Sequence, residues 1–557
     1  MKKNILTVTF LVAFSLSGIA CTNFLVGKKA SADGSTMISY SADSYWLYGA
    51  LYHYPRASYG KEAMLKVYDW DSGNYLGEIR QAAQTCNVVG NMNEYQVSIG
   101  ETTFGGRHEL VDTTGIIDYG SLIYIALQRS KSAREAIKIM TSLVDEYGYC
   151  SEGESFSIAD PNEVWIMEMV GKGAGSKGAV WAAIRIPEDC VSAHANQARI
   201  TKIPFGDKQN CMYSRDVVDF ARKKGYFYGK DSDFSFSDSY NPLDYEGLRF
   251  CEARVWAFFN ALNPKIGDKF YSYINADTRE RMPLYIKPDS LVTINKMKNL
   301  MRNHYEDTPL DMTTGAGSGP FGTPFRYSPL TYKVDRVAYF HERPIATQQT
   351  GFTFVAQMRN WLPNEIGGIL WFGVDDASTG IYVPMYCCLN IVPPCFNGKT
   401  ANLFEFSWNS AFWVNNWVAS MVYNRWSVLY PELQKQQNDW DIKFEFDVKG
   451  KDNEALAMIK RGDSAKDIVQ MLTQFSYEQA QFATSAWKQL GEKFMIKYLD
   501  GVMKGVDDEG IFLQNSKHIP QKIIRDGYPE NYSRKEFVQP DKNRFRVKTQ
   551  KEMEDRW

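Results

Sequence analysis

Alternating apolar positions near the beginning of the chain predict a β-hairpin. Residues Cys21 to Val26 and Thr36 to Tyr40 are rich in apolar and β-branched side chains, which favours two short strands. The segment between them contains Asp33-Gly34, a dipeptide typical of tight hairpin turns. The pattern therefore makes Cys21 the first residue of a β-sheet.

Apolar spacing of three and four residues predicts helices in two later regions. One helix is expected from about Asp118, and a second follows Ser132, whose spacing to Glu135 matches a capping box. Further on, helical spacing among apolar residues is expected to end at Pro431, and another helix is expected from Ser464 toward Gly501.

The order of these elements indicates an α+β chain with layered sheets. Strands come first, a helix pair follows, and strands return, among them Val164 to Met169, which is apolar on both faces. Such a strand needs cover on both sides, so we expect helices outside and two sheets inside, with Cys21 at the edge of the layers. A mainly helical elaboration follows, and the segment from about Tyr528 is markedly charged.

The residues before Cys21 have the layout of a secretory signal. Lys2 and Lys3 precede an apolar run from Ile5 to Ala20, and the small residues Gly18 and Ala20 suit a signal peptidase. Cleavage after Ala20 would leave Cys21 first in an exported chain, periplasmic or extracellular. Lipoprotein processing also leaves a cysteine first, but it prefers a leucine-like residue where Gly18 stands.

Composition excludes several classes of function. The chain has 557 residues, 44% of them hydrophobic, which allows a large core. Lysine and arginine number 63 against 65 acidic residues, a balance that gives no indication of nucleic-acid binding. No apolar run after the leader is long enough for a membrane helix.

The nine cysteines lack zinc-site spacing, and neither a metal nor a cofactor is predicted. Eight of them could pair as disulfides, although buried free thiols are the simpler interpretation.

A cysteine that begins a chain has its own base. A free α-amine has a pKa of about 7.7 to 8.0 and a thiol one of about 8.5, so moving the thiol proton to the amine costs roughly 1 kcal/mol. An amide nitrogen at the same place has no such basicity. Cleavage before Cys21 would therefore create a nucleophile and its base in one residue.

Three polar residues could complete such a centre. Asp43 follows the second strand and could hold the α-amine, while Asn93 and Asn196 could donate to an oxyanion or orient the substrate. Each has an ordinary alternative, because aspartate and asparagine are common in turns.

Six segments of the chain together resemble the dipeptidase A family of cysteine peptidases, within the N-terminal-nucleophile hydrolase superfamily. They are CTNFLVGKKASADGSTM, NMNEYQVSIGETTF, DPNEVWIMEMVG, VSAHANQARI, GPFGTPFRYSPLTY and EIGGILWFGVDDASTGIYVPMYC. The resemblance implies a four-layer αββα sandwich and hydrolysis of dipeptides or short peptides. It also implies that Cys21 is the nucleophile and base, that Asp43 holds the amine, and that Asn93 and Asn196 serve the oxyanion or orient the substrate.

The resemblance also divides the chain and leaves one position open. It covers residues 21–501, the predicted peptidase domain, which follows the signal peptide predicted in residues 1–20 and precedes a charged peripheral tail in 502–557. Acylase relatives place an arginine three residues before the acid, where this chain has Tyr40. Tyr40 is therefore a candidate substrate-binding residue, and Arg199 is a second one that could replace the missing charge. Oligomeric state stays open, a homo-oligomer included.

Three other interpretations remain. In a papain-like enzyme a histidine would be the base, and the chain offers six: His53, His108, His194, His304, His341 and His518. In a lipid-anchored binding protein, aromatic residues would line a ligand groove. Within the hydrolase interpretation, an acylated amino acid or a bile acid conjugate could replace the peptide as substrate.

Overall fold

The computed structural model describes residues 21–539 and 544–554, so the predicted leader, residues 1–20, lies outside the described residues. The strands are β1 (Asn23–Val26), β2 (Thr36–Asp43), β3 (His53–Tyr54), β4 (Ala57–Ser58), β5 (Met64–Tyr68), β6 (Tyr75–Arg80), β7 (Gln84–Thr85), β8 (Val88–Val89), β9 (Met92–Asn93), β10 (Ser98–Gly105), β11 (Gly153–Ala159), β12 (Val164–Gly171), β13 (Ala179–Arg185), β14 (Val191–His194), β15 (Cys211–Tyr213), β16 (Tyr285–Ile286), β17 (Thr331–Val334), β18 (Val337–Phe340), β19 (Thr350–Met358), β20 (Gly368–Val374), β21 (Val383–Tyr386), β22 (Met503–Lys504) and β23 (Ile523–Ile524).

The helices account for much of the second half of the chain. They are α1 (Tyr119–Arg129), α2 (Ala133–Tyr147), α3 (Val217–Lys224), α4 (Phe236–Tyr240), α5 (Ala253–Leu262), α6 (Pro264–Ile274), α7 (Ile294–Met301), α8 (Asn364–Gly367), α9 (Ala411–Asn424), α10 (Trp426–Arg461), α11 (Ala465–Lys497), α12 (Glu530–Ser533) and α13 (Gln550–Glu554). Helices and antiparallel sheets together confirm the α+β class.

Two antiparallel sheets form the centre of the molecule. Sheet A has the strand order β16-β14-β1-β2-β19-β20-β21, and sheet B has the order β15-β13-β12-β11-β10-β9-β8-β3. Strands β1 and β2 of sheet A contact β10 and β11 of sheet B, so the two sheets face each other. His194 of β14 joins them, because its ring nitrogens hydrogen-bond Thr102 Oγ1 of β10 and Ser157 Oγ of β11, both at 2.7 Å.

Helices pack on the outer faces of both sheets. On sheet B, α1 and α2 contact β10, β11 and β13, and apolar side chains of these elements form a core of their own. On sheet A, α5 contacts β14, α7 contacts β2 and β19, and α9, α10 and α11 contact β20 or β21. Strand β12 is buried along its whole length, as its apolar residues on both faces predicted.

The predicted hairpin is present, but it lies deeper than expected. Strand β1 pairs with β2, Leu25 opposite Ile38, and Asp33 accepts hydrogen bonds from Ser35 N and Oγ in the turn. The other side of β1 pairs with β14, whose His194 is opposite Asn23. The expectation that Cys21 lies at the edge of the layers was therefore wrong, because a strand more than 160 residues further along the sequence covers the free side of β1.

Capping residues identified in the sequence correctly predict where three helices begin. Asp118 caps α1, Ser132 caps α2 and Ser464 caps α11 through side-chain oxygens that accept backbone N–H groups. Pro431 does not end a helix, because it lies inside α10. The interruption comes earlier, at Arg425, which separates α9 from α10. One missing backbone hydrogen bond is tolerated at Pro431 because buried Trp426, Leu429 and Leu433 pack this part of the helix.

Two further properties concern the whole described chain. No helix in residues 21–539 and 544–554 combines the length and apolar character needed to cross a membrane. All nine cysteines lie within these residues, and each is a free thiol. The predicted division at residue 501 stays a prediction.

Candidate active site

Cys21 lies two residues before β1, a strand that has neighbours on both sides. Its side chain is 1% exposed. The Sγ atom lies 3.8 Å from the Tyr40 hydroxyl and 3.6 Å from Glu101 Oε1. Thr22 bonds to Ser41 through both backbone groups, which fixes the start of the chain against β2. The sulfur is thus held where the two sheets meet.

Tyr40 and two glutamates surround the sulfur on the side of sheet B. Tyr40 donates its hydroxyl hydrogen to Glu101 Oε1. Glu154 of β11 lies beside Glu101, and Thr103 donates to its Oε1 at 2.7 Å. Both glutamate side chains are buried, and burial raises the pKa of each above its usual value. Tyr40, a candidate substrate-binding residue, therefore lies next to the sulfur of Cys21, and two acidic side chains accompany it.

Asp43, the last residue of β2, is also at the sulfur. Its backbone N–H hydrogen-bonds the sulfur, which by itself would lower the pKa of the Cys21 thiol. Its carboxylate accepts hydrogen bonds from Arg343 Nη2 and Thr350 Oγ1, both at 2.6 Å. Burial raises the pKa of the Asp43 carboxyl, while Arg343 and Thr350 oppose that shift. An acidic residue is thus fixed beside Cys21, where the proposed amine holder was expected.

Arg254 connects Cys21 with Asn196. From α5, its Nη1 donates to the Cys21 carbonyl oxygen at 2.6 Å and to Thr22 Oγ1 at 2.8 Å. Its Nη2 donates to Asn196 Oδ1 at 2.8 Å, and Asn196 in turn donates to the Thr103 carbonyl at 2.7 Å. Asn196 has a φ of 62°, a left-handed conformation that asparagine tolerates better than most residues. Asn196 therefore belongs to the neighbourhood of the sulfur.

Sequence reasoning overlooked Arg254 and Glu101, although both carried a signal. Arg254 stands in the helical segment ARVWAFFNAL, whose other side chains are almost all apolar, and it is 1% exposed. Glu101 stands in a buried strand two residues after Ile99, on the same face. A charged residue in an otherwise buried element requires a partner, which is the signal that could have identified both.

The oxyanion role predicted for Asn93 is contradicted by its contacts. Its Nδ2 donates to the Leu127 and Ser130 carbonyls at 2.8 Å, and its Oδ1 accepts from the Tyr95 and Val97 amides. Both amide hydrogens are already used to hold the loop after β9 against the end of α1. Asn93 is therefore a loop-stabilising residue in this structure.

The substrate-binding role predicted for Arg199 is contradicted in the same way. Arg199 forms a buried ion pair with Glu252 at 2.9 Å, and both side chains are 2% exposed. Its two Nη atoms donate to the Ala193, Leu284 and Pro283 carbonyls. With its donors directed at these backbone groups, the guanidinium holds the segment after β14 and contributes no charge to the sulfur.

A histidine base for Cys21 receives no support from the hydrogen bonds. His194, the one histidine beside another candidate residue, has both ring nitrogens engaged by Thr102 and Ser157. Burial lowers the pKa of His194 to about 3, with a smaller contribution from Arg199. His194 is thus a neutral inter-sheet contact. Its ring does not hydrogen-bond Cys21 among the described contacts.

The surroundings keep the thiol neutral. Burial raises the pKa of Cys21 well above its usual value, and the carboxyl groups of Glu101 and Asp43 raise it further. Such a thiol becomes a nucleophile only when a base removes its proton during the reaction. Among the described residues no cluster of three histidine, cysteine or acidic side chains could hold a metal ion.

Comparison with known proteins identifies the family of the chain. The family model described as Peptidase family C69 matches residues 20–439. A probable dipeptidase of Latilactobacillus sakei is 23% identical over 76% of this chain and 85% of its own length. A probable dipeptidase of Salmonella dublin is 26% identical over 66% and 81%, and the dipeptidase A of Lactobacillus helveticus is 24% identical over 74% and 84%. The chain belongs to peptidase family C69.

Proposed function

We propose that this peptidase is an exported dipeptidase that hydrolyses dipeptides or short peptides with the Cys21 thiol as nucleophile. The observation that carries the proposal is the environment of Cys21. Its sulfur is buried between β2 and β10, its carbonyl is held by Arg254, and the backbone N–H of Asp43 hydrogen-bonds the sulfur. The curated relatives named dipeptidases support the substrate class.

The same proposal includes the fold and the processing of the chain. Two facing antiparallel sheets with helices on both outer faces are what a four-layer αββα sandwich of N-terminal-nucleophile hydrolases requires. Removal of residues 1–20 would turn the amide nitrogen of Cys21 into an amine. The raised pKa of the thiol supports this step, because among the described residues the side chains in hydrogen-bonding contact with the sulfur are the Tyr40 hydroxyl and the Glu101 carboxyl.

The reaction would proceed through a thioester. The α-amine accepts the thiol proton while Sγ attacks the carbonyl carbon of the first substrate residue. The tetrahedral intermediate collapses when the C–N bond breaks, and the leaving amine takes the proton from the α-ammonium. Water then attacks the thioester, giving up a proton to the same amine, and the second collapse returns the proton to Sγ. The first residue leaves as a free amino acid.

Substitution of Cys21 tests the nucleophile. Mature Cys21→Ala should show no turnover of a panel of dipeptides, and Cys21→Ser should be strongly impaired, because an alcohol is a far weaker nucleophile at neutral pH. His304→Gln is a matched control, since His304 is buried but bonds to Glu306. Activity that survives in Cys21→Ala, or a histidine variant as inactive as Cys21→Ala, would reject the mechanism.

A further inference from the structure

Glu101 and Glu154 form a buried carboxyl pair next to the nucleophile, and the mechanism above uses neither. We propose that this pair binds the α-ammonium group of the substrate, so that the site selects peptides whose first residue has a free amine. The inference rests on the proposed function, because it names the chemical feature of the peptide that the same site recognises. In this proposal Glu101 contacts the substrate ammonium directly, and the Glu154 carboxyl group provides the second acceptor for it.

Glu101 lies within reach of the ammonium group of a bound dipeptide. In an amino acid the amine nitrogen is only two bonds from the carbonyl carbon, about 2.5 Å away. A nucleophile ready to attack is roughly 3 to 3.5 Å from that carbon. An ammonium anchor for a dipeptidase must therefore lie within about 9 Å of the sulfur, a limit set by these two distances and one hydrogen bond. Glu101 Oε1 meets this condition, since it lies 3.6 Å from Cys21 Sγ.

The pair has free hydrogen-bonding capacity. Glu101 Oε1 receives the Tyr40 hydroxyl and Glu154 Oε1 receives the Thr103 hydroxyl. The Oε2 atom of each glutamate is buried and accepts from no donor group of another described residue. Two carboxyl groups can bond to each other only through a shared proton. A substrate ammonium brings three N–H donors and can replace that proton.

Charge around the pair also favours a cation. Burial raises the pKa of both carboxyl groups, to about 7 for Glu101, and Glu101 raises that of Glu154 further, because two adjacent carboxylates repel each other. Asp71 and Glu152, both exposed, contribute in the same direction to the pKa of Glu101 and Glu154 respectively. A cation bound between the two carboxyl groups would relieve this repulsion.

Binding of an ammonium would also activate the thiol. Glu101 is one of the groups that raise the pKa of Cys21. A cation placed on Glu101 neutralises that effect and itself favours the thiolate. A substrate without the ammonium loses both its anchor and this activation. Selectivity for a free amine is therefore expected in kcat as well as in KM.

A pair of substrates that differ only at the amine tests the inference. Alanyl-alanine and propionyl-alanine have the same scissile bond and nearly the same size, but the second has hydrogen in place of the ammonium. The mature enzyme should prefer alanyl-alanine by about 100-fold or more in kcat/KM, because buried acceptors reject an analogue that leaves them unpaired. The variants are Glu101→Gln and Glu154→Gln, with Glu78→Gln, an exposed residue of β6, as the control.

Neutralising Glu101 should remove the preference and leave the reaction intact. Glu101→Gln is expected to lower kcat/KM for alanyl-alanine about 30-fold or more, the effect of losing one partner of a buried charged hydrogen bond. Its kcat/KM for propionyl-alanine should stay within about threefold of wild type or rise. Glu154→Gln should shift the ratio in the same direction, and Glu78→Gln should change it less than about threefold.

Other outcomes distinguish a failure of this inference from a failure of the proposed function. A Glu101→Gln variant that loses both substrates equally would mean that Glu101 serves the amine of Cys21 or the protein interior, and would overturn the inference. An unchanged ratio would overturn it as well, as would a wild-type enzyme that cleaves both substrates equally well, although the proposed function would stand. A wild-type enzyme inactive on every dipeptide would reject the proposed function. If Glu101→Gln does not fold, Glu154→Gln and Tyr40→Phe, which removes a hydrogen bond to Glu101, decide the question by the same ratio.

Discussion

Replacing Arg254 by lysine should impair both stability and turnover. The guanidinium donates to the carbonyls of Cys21, Ala195 and Phe250 and to the side chains of Thr22 and Asn196, at 2.6 to 3.2 Å. A lysine retains the positive charge but offers three hydrogens on one atom, so at least two of these five acceptors lose their donor.

The magnitude follows from the number of lost bonds. A hydrogen bond to a charged group contributes about 1.5 to 3 kcal/mol, so two of them give a loss of about 3 kcal/mol or more in the free energy of unfolding. Turnover should fall about 100-fold, because the Cys21 carbonyl loses a fixed partner and a displacement of the nucleophile by about 1 Å is sufficient for such an effect. Urea denaturation and kcat/KM on a dipeptide measure the two losses separately.

Arg249 provides the control for a buried arginine. It lies in the π-helical turn directly before α5, is 5% exposed, and bonds Asn275 and Glu342 without contacting Cys21. Arg249→Lys should lower stability and leave kcat/KM within about threefold. The reasoning is refuted if Arg254→Lys keeps wild-type stability and turnover, or if Arg249→Lys loses as much turnover as Arg254→Lys.

Three further variants test residues that sequence and structure interpret differently. Arg199→Met should lower the free energy of unfolding by about 3 to 5 kcal/mol, because Glu252 is left as an unpaired buried charge, and a tenfold rise in KM at unchanged stability would contradict this. Asn93→Ala should cost about 1 to 3 kcal/mol of stability with little change in kcat, whereas an oxyanion donor would lose 100-fold or more. His194 by itself should contribute a loss of about 1.4 kcal/mol of stability per pH unit as the pH drops below about 6.5 toward 3, since only the unfolded chain protonates this histidine; His194→Gln should remove that contribution from the slope of stability against pH.

Features that depend on neighbouring residues could be predicted from the sequence. The hairpin at Asp33-Gly34 and the helix caps at Asp118, Ser132 and Ser464 are local, because the side chain and the backbone groups that it satisfies lie within a few residues. The candidacy of Cys21 and Asp43 followed from the same kind of short-range pattern together with a family resemblance.

Features that depend on long-range pairing could not be predicted. Whether an asparagine meets the sulfur or only its own loop depends on how distant strands assemble, so Asn93 and Asn196 were indistinguishable in the sequence. Glu101 and Arg254 come within reach of Cys21 only through the contact of β10 and α5 with the sheet that contains β1. A search of the sequence for charged residues within otherwise apolar elements would have identified both Glu101 and Arg254.

The central claim is that the free amine of Cys21 is the base of the reaction. Two preparations of the same chain test it most directly: one begins at Cys21, and the other retains Ala20, with both intact masses verified before kcat/KM is measured on a dipeptide. The account predicts that the chain with Ala20 is slower by about 100-fold or more, the usual contribution of a general base. Equal activity of the two preparations would contradict it.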